Sequence, residues 1–252
     1  MAVDAPSRAA RPAPPPRAAR VVRFGATERN LHTIHASAFV VMFATGTVLY
    51  VPAIAQVFSS RPLVKATHLV AATAWLTALA LVALLGDRRA LRRTRRELER
   101  FDADDLRWLR RRRPAPAGRF NAGQKAHAIA QAALAVLFTV SGTLLWLGER
   151  NTDLRLPGTI ALHDASMIVA GVLVCGHVWI ALSPAKAPSI EGILRGTVPA
   201  AWAAEHHPRW VPEPDAGQPP GPRPRPGPVR VAAAVAVLAA GLAAVAVFIG
   251  FT

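Results

Sequence analysis

The chain has 252 residues, of which 52% are hydrophobic, and it carries a formal net charge of +15. A soluble protein this basic would point to nucleic acid, but here nearly uncharged runs alternate with arginine-rich loops, the pattern of a membrane protein. The single cysteine, Cys175, excludes a disulfide within the chain and any cysteine-built metal or iron–sulfur site.

Residues 1–24 are rich in Ala, Pro and Arg and are expected to form a basic disordered arm. They lack the apolar stretch and small-residue cleavage site of a signal peptide. Apolar runs follow at residues 31–57, 66–85, 126–147, 160–182 and 231–252. Each is near the roughly 20 residues that cross the hydrocarbon core as a helix. Cys175, in the fourth run, is expected to be small and buried. Residues 86–125 form a basic loop, within which 87–113 mix arginines with five acidic side chains, Glu97, Glu99, Asp102, Asp104 and Asp105, and predict a solvated, surface-lying helix. Residues 212–229 are too proline-rich for regular helix or sheet, so 211–230 are expected to be an extended linker. The expected fold is all-α: an integral-membrane four-helix bundle within residues 25–210, plus an additional C-terminal transmembrane helix.

The loops orient the spans. Arg8, Arg11, Arg17, Arg20, Arg23 and Arg29 precede the first, and only Arg61 and Lys65 separate the first from the second. Arg88, Arg89, Arg92, Arg93, Arg95, Arg96, Arg110, Arg111, Arg112 and Arg113 lie between the second and third, and only Arg150 and Arg155 between the third and fourth. Lys186, Arg195, Arg209, Arg223, Arg225 and Arg230 follow the fourth. The positive-inside rule puts the N-terminus and the second and fourth loops in the cytoplasm, and the end of the fifth span outside.

His163 and His177 are fourteen residues apart on the fourth run. That is nearly four helical turns, or roughly 21 Å, so both imidazoles point the same way from opposite sides of the bilayer. With the loop orientation, depths pair His32 with His177 on the cytoplasmic side and His68 with His163 on the outer side. A lone histidine near a helix end is usually an interfacial polar residue, but ionisable residues inside spans are uncommon and tend to be functional. Four at matched depths are the pattern of two haems, each clamped by an axial imidazole pair without an open position. His35, three residues after His32, shares its face, and spacing alone leaves either able to ligate. His127 has no depth-matched partner and reads as interfacial or as a neighbour of a quinone. His206 and His207 read as loop-packing residues outside the membrane. The pairs Thr45–Gly46 and Ser141–Gly142, with Gly171 and Gly176, either let helices approach closely or leave room for a flat macrocycle.

Three strings then converge on a family. Glu28-Arg29-Asn30-Leu31-His32 precedes the first span, and Gly118-Arg119-Phe120-Asn121-Ala122-Gly123-Gln124-Lys125 precedes the third. Ser189-Ile190-Glu191-Gly192 follows the fourth, then Trp202 and His206-His207-Pro208-Arg209-Trp210. Together with the histidine spacing, residues 23–210 closely resemble the cytochrome b (gamma) subunit of membrane-bound respiratory formate dehydrogenase, which is related to the b-type cytochrome subunits of hydrogenases.

The resemblance implies four transmembrane helices and two b-type haems, the inner held by His32 and His177 and the outer by His68 and His163. It implies a cytoplasmic-side quinone site at Asn121, Gly123, Gln124 and His177, with menaquinone as the expected acceptor. The Asn and Gln amides can donate to a quinone carbonyl, although Asn at a helix start also serves as an N-cap. Electrons would come from an iron–sulfur (beta) subunit. Formate oxidation would belong to a molybdenum or tungsten catalytic (alpha) subunit, since this chain has no residues for it. Membrane lipid is a partner and nucleic acid is not. The rivals are the cytochrome b subunit of a hydrogenase or another oxidoreductase, a haem-free membrane anchor, and a proton-relaying transporter. The arm, the arginine density of 86–125 and the fifth span depart from the four-helix pattern. That span is expected to pack beside the bundle or to substitute for the anchor helix of a partner subunit.

Overall fold

The computed structural model describes residues 19–57, 60–214 and 225–250. Most of the arm (1–18) and the middle of the linker (215–224) lie outside the described residues. The elements in chain order are β1 (Arg20–Val22), α1 (Ala26–Tyr50), α2 (Pro52–Ala55), α3 (Arg61–Leu85), α4 (Arg88–Glu99), α5 (Ala103–Leu109) and α6 (Ala122–Gly148). After them come α7 (Thr159–Ala181), α8 (Ala187–Arg195), β2 (Thr197–Pro199), α9 (Ala200–His206), β3 (Glu213–Pro214) and α10 (Pro228–Gly250). Helices α1, α3, α6, α7 and α10 are long and apolar enough to span a membrane, and large apolar side chains are exposed along them, among them Val40, Leu76, Val136, Val172, Trp179 and Leu242. That surface is stable only in lipid.

Local chemistry sets where the spans begin and end. The first helix stops at Tyr50, not residue 57: Pro52 has no N–H to continue it, and Val51 is extended (φ −98°, ψ 106°), as a residue before proline prefers. The second begins five residues before the apolar run, at Arg61, because the Ser60 side chain accepts from Leu63 N (3.3 Å) and Pro62 suits a first turn. The third starts at Ala122, capped by Asn121, and the fifth at Pro228. The expected single surface helix over 87–113 is two. Asp87 caps α4 and Asp102 caps α5, and the chain turns between them.

Two expectations are corrected at the chain's edges. Residues 20–22 of the arm form the central strand of a three-stranded antiparallel sheet in the order β2-β1-β3, with Val21 opposite Val198 and Pro214. Glu213–Pro214, expected to be linker, is therefore a strand, and Pro228–Val229 already belong to α10. Pro199 and Pro214 are tolerated because both lie in outer strands, where a ladder donor is dispensable. Val21, Val198, Trp202 and Ala203 bury a small apolar core under this sheet. Cys175, expected to be buried, is exposed on α7.

The bundle has two halves. Helix α3 packs along both α1 and α10, and α6 packs along α7. Between the halves α1 and α7 touch only sparsely, with a close approach midway: a Cβ on Gly171 would lie 2.8 Å from Phe43. The arginine-rich end is closed by a cap of α4, α5, α8, α9 and the sheet.

Candidate functional site

The four span histidines meet in pairs across the two halves. His32 on α1 and His177 on α7 have ring centroids 6.4 Å apart. His68 on α3 and His163 on α7 are 6.3 Å apart. A metal–imidazole bond of about 2.0 Å, with the ring centre about 1.1 Å behind the nitrogen, puts the ring centres of two ligands on opposite sides of one metal about 6.2 Å apart. Both gaps therefore leave room for one metal between the two rings, which could hold it. Among the described residues no three His, Cys, Asp or Glu side chains converge as a protein-only metal site.

At the opposite end from the cap, each imidazole is oriented by a hydroxyl on a neighbouring helix. Thr45 Oγ1 donates to Val41 O (2.8 Å) and lies 2.8 Å from His68 Nδ1. Ser141 Oγ donates to Leu137 O (2.6 Å) and lies 2.8 Å from His163 Nδ1. With each hydroxyl hydrogen committed to its own helix carbonyl, the oxygen accepts Nδ1–H and leaves the Nε2 lone pair free for a metal. The next residue in both cases is glycine. A Cβ on Gly46 would lie 3.6 Å from His68 Cε1 and 3.3 Å from Met167 Sδ, and one on Gly142 would lie 3.5 Å from His163 Cε1, so both glycines line the imidazoles at ordinary contact distance. Trp75 Nε1 and Gln131 Nε2 are buried with no acceptor among the described residues, and such donors suit a bound group carrying oxygens.

Near the cap the geometry separates three candidates. His32 faces His177 at the axial spacing, whereas the His35 ring packs 5.7 Å from Trp75. His127 is a correction: it does have a depth-matched neighbour. It lies one turn into α6, as His177 lies one turn from the end of α7, and the two rings stack at 4.8 Å and 11°. That gap is too short for a metal between them, so His127 is placed as a neighbour of the His32–His177 pair.

Asn121 and Gln124 form a reciprocal capping box. Asn121 Oδ1 accepts from Gln124 N (2.9 Å), and Gln124 Oε1 accepts from Asn121 N (3.0 Å). Both roles use the amide oxygens, and both NH₂ groups stay without a partner among the described residues. Cap and quinone donor are therefore compatible. Gly123 has a packing reason of its own: a Cβ there would lie 2.7 Å from the Trp108 ring.

The three strings build the cap. Arg119 donates to Glu28 (2.8 Å), Glu97 (2.6 Å) and Thr94 (2.5 Å), and Thr94 donates to Glu28. Lys125 binds Asp105 (2.6 Å), and Arg209 bridges Asp102 and Asp104 (2.6 Å each). The Arg209 hydrogen bond holds the Asp102 carboxyl below its usual range. Arg23 donates to Ser189 Oγ (3.1 Å) and to His207 Nε2 (3.1 Å), and His207 Nδ1–H donates to Gly118 O (2.6 Å). Burial, then the Arg23 charge, pushes His207 down to about 4, so it is neutral; burial, then Arg119, pushes Arg23 down to about 10. His207 is thus packed and buried, as expected of a loop-packing residue, and it stands at the C-cap of α9.

Residues 23–196 match the model of the prokaryotic cytochrome b561 family. The chain is 29% identical over 123 residues to the formate dehydrogenase cytochrome b556(fdo) subunit of Escherichia coli (strain K12), a match covering 45% of this chain and 57% of that protein. It is 35% identical over 104 residues to the formate dehydrogenase cytochrome b556 subunit of Haemophilus influenzae (strain ATCC 51907 / DSM 11121 / KW20 / Rd), covering 39% and 42% respectively. It is 26% identical over 124 residues to the nitrate-inducible formate dehydrogenase cytochrome b556(Fdn) subunit of E. coli K12, covering 44% and 56%. The chain thus spans about half the length of the curated relatives it matches.

Proposed function

The chain belongs to the prokaryotic cytochrome b561 family, and from that premise we propose that it is the dihaem cytochrome b subunit of a formate dehydrogenase. It takes electrons from an iron–sulfur subunit on the outer side and delivers them to a quinone on the cytoplasmic side. The observation that carries this reading is the doubled histidine geometry: two pairs, at 6.4 and 6.3 Å, at two depths of one bundle. The names of the relatives support the formate dehydrogenase assignment.

His32 and His177 are proposed to hold one haem, and His68 and His163 the other. Bound haem supplies one-electron transfer. The chain's own residues orient the ligands, exclude water and hold the acceptor. Thr45 and Ser141 fix the outer imidazoles through Nδ1. The Asn121 and Gln124 amide nitrogens, beside Gly123 and His177, donate to a quinone carbonyl, menaquinone being the expected acceptor. The His127 ring, on the same helix as Gln124, lies against the inner ligand. Formate oxidation belongs to a separate molybdenum or tungsten subunit. Uptake of protons at the cytoplasmic end would add to a proton-motive force.

Haem content decides between this reading and a haem-free anchor. Reduced-minus-oxidised spectra of the purified chain should show b-type bands at two haems per chain. Replacing His163 with Ala should remove the outer haem first. A colourless protein with all four ligands intact would defeat the proposal, and equal loss of both haems in the variant would defeat the pairing.

A further inference from the structure

Helix α4 begins only three residues after α3 ends, and the corner between them is fixed by Asp87 N–H donating to Thr27 Oγ1 (3.0 Å) at the start of α1. The helix therefore lies in the headgroup layer at the arginine-rich end of the bundle. Its inner face is held by Thr94, which bonds Glu28 and Arg119. Its outer face carries Arg89, Arg92, Arg93 and Arg96, spaced i, i+3, i+4 and i+7 and so one above the other. With Glu97 they line one open cleft of about 330 Å³.

The acid that lines that cleft, Glu97, does not balance Arg89, Arg92 and Arg96. The Glu97 carboxylate accepts from Arg119 Nε (2.6 Å) in the cap. Among the described residues no carboxylate bonds Arg89, Arg92 or Arg96; the ion pair on this helix, Arg95 with Glu99 (3.5 Å), lies outside the cleft. Like charges one turn apart oppose the helix, so the row is stable where an anion lies between the guanidiniums. Planar guanidiniums match phosphate in geometry, and at this depth the abundant phosphates are those of lipids.

We propose that the Arg89–Arg92–Arg96 row on α4 is a binding site for the phosphate of an anionic phospholipid in the adjacent leaflet. It fastens the cap to the membrane surface at the end where Asn121 and Gln124 lie. The site is independent of haem binding, so its test does not depend on the function proposed above.

The full chain, purified in mild detergent, would be incubated with phosphatidylglycerol or phosphatidylcholine of the same acyl chains, and retained lipid counted by native mass spectrometry. Phosphatidylglycerol should be retained about tenfold over phosphatidylcholine. The R89Q/R92Q/R96Q variant should lose that preference, and R110Q/R111Q/R112Q, with the same charge removed elsewhere, should keep it. If the triple variant does not fold, judged by its melting temperature, R92Q alone should lower the preference severalfold. Equal retention of the two lipids would overturn the proposal. So would equal loss in both triple variants, which means diffuse attraction only, or displacement of the lipid by millimolar inorganic phosphate, which means a site for free anion.

Discussion

Ser141 and Thr45 each give a hydroxyl hydrogen to their own helix and receive one from an imidazole on another. This relay decides which ring nitrogen is left to bind, and it makes a sharp prediction. Ser141 is buried at 1% exposure, so Ser141→Ala leaves the fold in place but leaves the His163 Nδ1–H without its acceptor. Loss of such an outer partner typically weakens a metal site about 10–100-fold. Haem titration of the variant should show one site weakened by that order and the other unchanged. Equal weakening of both sites, or of neither, would separate Ser141 from the outer pair. The histidines were legible in the sequence because helical periodicity reports which residues share a face. Their partners were not. Thr45–Gly46 and Ser141–Gly142 stood out for their glycines, and the hydroxyls matter only once α1 meets α3 and α6 meets α7, 23 and 22 residues apart in the chain. The stacking of His127 on His177 was hidden for the same reason. It depends on where α6 begins, and the Asn121 cap moves that start four residues ahead of the apolar run.

At the scale of elements, α10 is the addition to the four-helix pattern, and the structure seats it along α3. Arg230 Nε donates to Leu84 O (2.6 Å) and Nη2 to Gly86 O (3.2 Å), satisfying carbonyls that the end of α3 leaves open. Gly241 lies directly against Thr77, leaving no room for a side chain, and Phe248 meets the Trp146 ring edge-on at 5.3 Å. None of these contacts involves a span histidine. Gly241→Leu should therefore separate α10 from α3, at about 1–3 kcal/mol for an overpacked contact, and lower the melting temperature without changing haem content. Truncation after Arg230 should likewise spare the haems; loss of both would mean that haem binding depends on α10. The existence of all five spans could be read from hydropathy, since an uncharged run of this length has few other uses. The ends could not. Arg61 and Lys65 lie inside α3 and carry charge, and Pro52 ends α1 inside an apolar run. The strands at 20–22 and 213–214 are too short and too rich in charge and proline to register as sheet, and they exist because Val21 and Val198 share a core with Trp202.

Over the whole molecule, ionisable side chains and the apolar surface are divided between the two ends and the middle. The cap buries Arg23, Arg119 and Glu28 in one network and Lys125 and Asp105 in another at the arginine-rich end. The other end has a short turn with Asp153, and a Lys65–Glu149 pair. The positive-inside rule predicts that a cap this rich in arginine, with the arginine row on α4, stays on the cytoplasmic side. In that orientation the proposed quinone donors, Asn121 and Gln124, would face the cytoplasm, and the His68–His163 pair would face the outside. Orientation can be read directly by cysteine labelling. In a Cys175→Ala background, Asp153→Cys and Arg112→Cys place single thiols at exposed positions on opposite ends. A membrane-impermeant maleimide should label Asp153→Cys in intact cells and Arg112→Cys only after the membrane is opened. The reverse pattern would put the cap outside, and with it both the amide donors and the proton uptake assigned to that end.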